Sequence, residues 1–264
     1  MSDADTDAIT VERTDGATRI AIERADRHNT LDRATAAELQ AAVESVVDDP
    51  EVRCLVLTGA EGVFCTGADL ATLEGNPEDA RRLRGIATRL HAAVDHLAGA
   101  RKPVVAGVNG VAAGGGLGLA LCADVVVAAE SARFEFAYPR IGLSGDGGST
   151  YFLPRLVGLR KAKEIALLDE PIPADEAAEL GLATECVADD EFDDRLAELA
   201  ATLADGPTRA HGATKRLLEA SFGRRLSAQL AAETDAITRL ATTDDFERGL
   251  AAFFEDGDPE FRGE

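Results

Sequence analysis

The chain reads as an α/β protein, and three observations predict that class. Short apolar runs recur as buried strands at residues 52–57, 104–108 and 125–128. Helical periodicity fills stretches between them, notably residues 35–47 and 77–97. Glycine-bearing loops follow two of the strands, at residues 61–70 and 109–118. Strand, loop and helix in alternation is the pattern of a layered sheet-and-helix core.

Each element has a local cause. Residues 9–22 alternate like a hairpin around the turn pair Asp15-Gly16. Residues 35–47 carry apolar side chains at helical spacing, and Asp48-Asp49-Pro50 stops that helix. A buried strand at residues 52–57 ends in Gly59, and the loop Phe64-Cys65-Thr66-Gly67-Ala68-Asp69-Leu70 follows it. A long helix is expected over residues 77–97. The strand at residues 104–108 opens into Asn109-Gly110-Val111-Ala112-Ala113-Gly114-Gly115-Gly116-Leu117-Gly118, with residues 119–122 helical and residues 125–128 a strand. From about Ala188 the pattern is helical only. A boundary is placed near Gly206, giving a core at residues 1–205 and a helical region at residues 206–264. The latter has too few apolar residues (Leu226, Leu230, Ile237, Leu240) for a core of its own, so it should pack on the first part or on another subunit.

Composition narrows the function classes. With 45% hydrophobic and 5% aromatic residues, the core must be built from Ala, Val and Leu. The apolar runs are too short to span a bilayer. Residues 1–7 are acidic and lack an apolar signal region, so a cytoplasmic protein is expected. The net charge is −21, and only Lys102, Lys161, Lys163 and Lys215 among the 27 basic residues are lysines. A dispersed acidic surface of this kind resembles those of salt-adapted proteins, where dissolved ions screen the repulsion. No basic stripe exists to neutralise phosphates, which argues against nucleic acid as a partner. Cys54, Cys65, Cys122 and Cys186 form no CxxC pair and read as small hydrophobes. His91 and His96 are five apart, the wrong spacing for two ligands on one helical face, so no metal site is expected.

The chemistry is expected in the two loops. Gly114-Gly115-Gly116 fits neither dinucleotide nor P-loop spacing. Glycine at a strand-to-helix turn does allow a positive φ and close backbone approach, and it leaves N–H groups free. Taken alone, such a turn is equally a turn with no ligand. Two such loops, each after a buried strand, could each give one N–H to a single oxygen, forming an oxyanion hole.

In sequence order, the chain carries Arg27-His28-Asn29-Thr30-Leu31, then residues 64–70, Lys102-Pro103-Val104-Val105, Asn109-Gly110 with its glycine run, and Gly181-Leu182. Together these resemble the crotonase, or enoyl-CoA hydratase/isomerase, superfamily over nearly the whole chain. The resemblance implies a spiral of ββα units with a C-terminal all-helical trimerisation region. It implies an acyl-CoA substrate, no separate cofactor because coenzyme A is part of that substrate, and a homotrimer or dimer of trimers. It implies that the N–H groups of Ala68 and Gly115 bind the thioester oxygen. It also places Arg27, Cys65, Gly67, Asp69, Gly114, Leu117, Tyr138 and His91 about the substrate.

The acid and base depart from the hydratase pattern. Hydratases of this superfamily use two glutamates, and Gly118 and Tyr138 stand in their places here. Asp146, in Gly145-Asp146-Gly147-Gly148, resembles the single catalytic Asp of the epoxyphenylacetyl-CoA isomerase branch. One carboxylate suffices to move a proton from one carbon to another. Read without the resemblance, Asp146 is an ordinary turn residue. A second resemblance is to the chlorobenzoyl-CoA dehalogenase branch, with an Asp nucleophile at position 146 and a His at position 91, but with a Trp where Tyr138 stands here. By itself His91 reads as a half-exposed helical histidine. The acidic stretch at residues 254–259 offers nothing to the coenzyme A phosphates, leaving Arg24, Arg27 or Arg262 as candidates. Double-bond isomerisation is the expected reaction. Hydration, aryl-CoA dehalogenation and non-catalytic acyl-CoA binding are the alternatives.

Overall fold

A computed structural model describes residues 8–264; the acidic stretch at residues 1–7 lies outside the described residues. Strands β1 (Ile9–Thr14) and β2 (Ala17–Ile22) form the expected antiparallel hairpin, with Ile9 opposite Ile22. Asp15 and Gly16 both take positive φ, as a tight turn of this kind requires. Helix α1 (Arg33–Val47) starts at Asp32, whose carboxylate caps the amides of Ala34 and Thr35. The apolar run at residues 52–57 becomes β3 (Cys54–Gly59), buried along its whole length. Helix α2 is Asp79–Ala98 and strand β4 is Val104–Val108.

The segment after β4 differs from expectation. A short strand β5 (Val111–Ala113) precedes α3 (Gly115–Leu121), so the helix begins within the glycine run and not at residue 119. The cause is the turn at Gly114, with φ 55° and ψ −121°, which reverses the chain directly into the first helical turn. Strands β6 (Val125–Ala129) and β7 (Arg133–Glu135) follow. Next come α4 (Ser149–Leu156), α5 (Gly158–Leu168), β8 (Ile172–Pro173), α6 (Ala174–Leu180) and β9 (Glu185–Val187). The chain ends in α7 (Phe192–Asp205), α8 (Thr208–Ser221), α9 (Leu226–Leu240) and α10 (Asp244–Glu255), with Gly206 between α7 and α8.

Six strands form one sheet in the order β1-β2-β3-β4-β6-β9, parallel throughout except for the hairpin. Strands β5, β7 and β8 form a second, smaller sheet. The core is largely Ala, Val and Leu, with Phe64 and Phe134 its largest fully buried side chains. Lys102, at the mouth of β4, is buried and donates to the carbonyls of Val46 (3.2 Å) and Asp49 (2.6 Å), tying the end of α1 to the sheet. Helix α8 is anchored by Lys215, which bonds to Asp124 (2.8 Å) and to the carbonyl of Leu97 (3.2 Å). Helices α9 and α10 leave Leu226, Ile237, Phe253 and Phe254 exposed. Among the described residues, no helix is long and apolar enough to cross a membrane.

Candidate active site

Two loops meet above the C-terminal ends of β3 and β4. The first is locked by Asn29, fully buried, which donates to the carbonyls of Ala60 (3.2 Å) and Val63 (2.6 Å) and accepts from the amide of Arg24 (2.8 Å). Leu31 pairs with Ala68 as an isolated parallel bridge through the amide of Leu31 to the carbonyl of Gly67 and the amide of Asp69 to the carbonyl of Leu31. In a parallel bridge the central residue's own amide faces away from its partner, so the N–H of Ala68 is turned outward. The N–H of Gly115, first in α3, has no intrahelical acceptor because it opens the helix. Among the described residues neither amide finds an acceptor.

The loops touch. A side chain at Gly67 (φ 84°) would sit 3.0 Å from the amide nitrogen of Gly115, so glycine alone keeps that N–H open. Ala68, Gly115, Gly67 and Gly114 line one cavity of about 480 Å³. Its other walls are mainly apolar, including Leu70, Leu83, Ile86, Leu90, Ile141 and Leu143. Tyr138 and Asp146 close its polar end, and Asp146 is the one carboxylate among the lining residues.

The hydroxyl of Tyr138 donates to Oδ1 of Asp146 at 2.5 Å. Burial, and then the charge of Asp146, hold the Tyr138 phenol well above its ordinary range, so it stays protonated and remains a donor. Oδ2 of Asp146 lies 3.7 Å from Nε2 of His91, which accepts from the amide of Gly147 (3.2 Å). Neutral His91 therefore carries its proton on Nδ1. Asp146 also borders a second cavity, of about 680 Å³, lined by His91 and the Gly145–Gly148 segment.

Glycine at position 118 has a steric cause: a Cβ there would lie 1.9 Å from the carbonyl of Gly147. The turn that carries Asp146 passes directly over it.

Other expected site residues fall elsewhere. Cys65 is fully buried and bridges to Ala112, and burial pushes its thiol up to about 12, so it is framework and not cavity wall. Leu117 points into the core at 1% exposure because it follows the turn on the inner face of α3. Asp69 is buried against Arg24 (2.9 Å) and caps the amide of Ala71 (3.1 Å). Arg24, held also by Asp32 (2.9 Å), is consequently occupied in the framework and not free for a phosphate. Arg27 is half-exposed and lies outside the lining of either cavity at Asp146. Cys54, Cys122 and Cys186 are free thiols, as expected. Among the described residues, no group of three or more His, Cys, Asp or Glu is placed to hold a metal ion.

A family model for enoyl-CoA hydratase/isomerase matches residues 12–264. The chain belongs to the enoyl-CoA hydratase/isomerase family. Within this family it is similar to the 1,2-epoxyphenylacetyl-CoA isomerase of Escherichia coli, 35% identical over 94% of this chain and 95% of that one. It is similar also to 4-chlorobenzoyl coenzyme A dehalogenase-2 of Arthrobacter, 34% identical over 93% of this chain and 90% of that one. The crystal structure of an enoyl-CoA hydratase from Bacillus anthracis superposes with a TM-score of 0.92 at 30% identity, covering 97% of this chain and all of the other. The fold is thus the crotonase fold, and the family acts on acyl-CoA. The dehalogenase resemblance named His91 together with Asp146, and the structure places them 3.7 Å apart although they lie 55 positions apart in the chain.

Proposed function

We propose that the protein shifts the double bond of an enoyl-CoA, with Asp146 as acid and base. The observation that carries this reading is a single carboxylate in a cavity that also holds two unpartnered amides. The thioester oxygen accepts from the N–H groups of Ala68 and Gly115. Asp146 takes a proton from the carbon next to the carbonyl of a 3-enoyl-CoA. The electrons pass into a dienolate whose oxygen the two amides stabilise, and removing one such donor typically costs about 3–4 kcal/mol. Asp146 then returns the proton at the far carbon, leaving a 2-enoyl-CoA with atoms balanced. Tyr138 donates to the carboxylate and fixes its orientation. Neither a metal nor a separate cofactor enters this scheme. The exposed apolar residues of α9 and α10 support assembly of copies through residues 206–264, as a homotrimer or dimer of trimers. Turnover of crotonyl-CoA and of a 3-enoyl-CoA, measured side by side at high salt, tests the reading: the 3-enoyl-CoA should be consumed faster, and faster hydration of crotonyl-CoA would favour a hydratase.

One observation favours a second reading. His91 adjoins Asp146; an Asp nucleophile here would displace chloride from the aryl ring to leave an aryl ester of Asp146, and water would be activated for its hydrolysis once Nε2 of His91 exchanges the Gly147 amide for that water. Under that reading, His91→Ala incubated with 4-chlorobenzoyl-CoA should accumulate an adduct visible as added mass on the intact protein. Absence of the adduct leaves the proton-shuttle reading in place.

A further inference from the structure

The segment that carries Tyr138 is held from outside the cavity. Ala137 adopts φ 63°, a left-handed conformation unusual for a residue with a side chain. Its amide donates to Oδ1 of Asp169 at 2.6 Å. Oδ2 of the same carboxylate accepts from Nε of Arg140 at 2.7 Å. The Asp169 side chain is almost buried, at 8% exposure. One carboxylate therefore grips the chain immediately before Tyr138 and two residues after it. Arg140 also pairs with Glu135, whose backbone carbonyl accepts from the amide of Gly114 (3.1 Å) in the oxyanion turn. Asp169 itself has φ 54° and closes α5, with its amide on the carbonyl of Ile165.

We propose that Asp169 is a positioning residue for the reaction: by holding Ala137 in its left-handed conformation, it keeps the Tyr138 hydroxyl on Asp146. This rests on the reading that Asp146 transfers the proton. Without the carboxylate, only the turn bond from the Tyr138 amide to the Phe136 carbonyl (2.9 Å) spans Ala137, its own amide loses its acceptor, and relaxation there to negative φ turns the following residue away from Asp146. A displacement of about 1 Å at a catalytic group can cost about 10²-fold.

Two substitutions separate positioning from plain stability. Asp169→Gly removes the carboxylate yet suits the left-handed helix end. Asp169→Asn keeps a carbonyl acceptor for the Ala137 amide and loses the charge that pairs with Arg140. The chain has no Trp and two Tyr, so in a Tyr151→Phe background its intrinsic emission reports Tyr138 alone. A phenol bonded to a carboxylate emits weakly and brightens on release. Asp169→Gly should brighten Tyr138 and lower kcat by about 10- to 100-fold with little change in KM, while Asp169→Asn stays dark and active. A dark, fully active Asp169→Gly would overturn the proposal, as would Gly and Asn variants that behave alike. If Asp169→Gly does not fold, Asp169→Ala read beside Asp169→Asn decides: a bright Ala variant with a dark Asn variant supports the anchor, and two dark variants refute it. Emission needs no turnover, so a bright Asp169→Gly beside an inactive parent condemns the assigned reaction and not the clamp.

Discussion

Tyr138 and Asp146 share a hydrogen bond of 2.5 Å in a cavity whose walls are mainly apolar. The phenol serves the one carboxylate lining that cavity as a donor. A hydrogen bond to a charged group contributes about 1.5–3 kcal/mol. It also fixes which oxygen of Asp146 is engaged, leaving Oδ2 for a substrate proton.

The oxyanion pair makes the first prediction. Gly115→Pro removes one N–H, and kcat should fall by about 10²–10³-fold while acyl-CoA still binds. A Cβ at this position would press on Leu90 at 2.7 Å, so Gly115→Ala is the control: it makes the same contact but keeps the N–H. Stopped turnover in the Pro variant with substantial turnover in the Ala variant supports the hole. Equal losses in the two would assign the effect to packing.

Placing a glutamate at position 118 should fail to create hydration. Gly118→Glu places a Cβ 1.9 Å from the carbonyl of Gly147 and must displace the turn carrying Asp146. Overpacking of this kind costs about 1–3 kcal/mol or more. The variant should melt lower, lose isomerisation and gain no hydration of crotonyl-CoA. A gain in hydration would show that the turn yields more readily than its packing implies.

Much of this was legible in the sequence, and what escaped it has a common cause. The hairpin at Asp15-Gly16, strand β4 and helix α2 follow from local pattern, while Asp146 was singled out by the family resemblance alone. Cys65, Asp69 and Leu117 sit beside cavity residues in the sequence but face the opposite side of their loops, where they bond the framework. Adjacency within a motif does not say which way a side chain points. Asp169 reaches the site through its contact to the amide of Ala137, across 32 positions. A backbone amide carries no side-chain signature, so such partners leave no trace in a sequence pattern.

Stability should fall in mild acid through His211. Its ring is partly buried with Nδ1 unpartnered, and burial and then the Arg53 charge hold it below its ordinary value of 6.5. The unfolded chain therefore binds a proton near pH 6.5 that the folded chain refuses until lower pH. Stability is full above that point and declines as pH drops through it. Urea midpoints at pH 7.5 and pH 5.5 should differ more for the parent than for His211→Gln. Equal differences would remove His211 from the account.

The acidic surface predicts a salt requirement. At a net charge of −21, unscreened repulsion in dilute buffer should lower the melting temperature, and KCl should raise it as the screening length shrinks from about 30 Å at 0.01 M to about 3 Å at 1 M. A melting temperature independent of KCl would count against salt adaptation.

The most direct test of the central claim is the steady-state rate of Asp146→Asn on a 3-enoyl-CoA. The amide matches the carboxylate in shape, so fold and acyl-CoA affinity should persist. A general base contributes typically about 10²–10⁴-fold. The account predicts that kcat falls by that factor with KM little changed. Isomerisation at the parental rate in Asp146→Asn would contradict it.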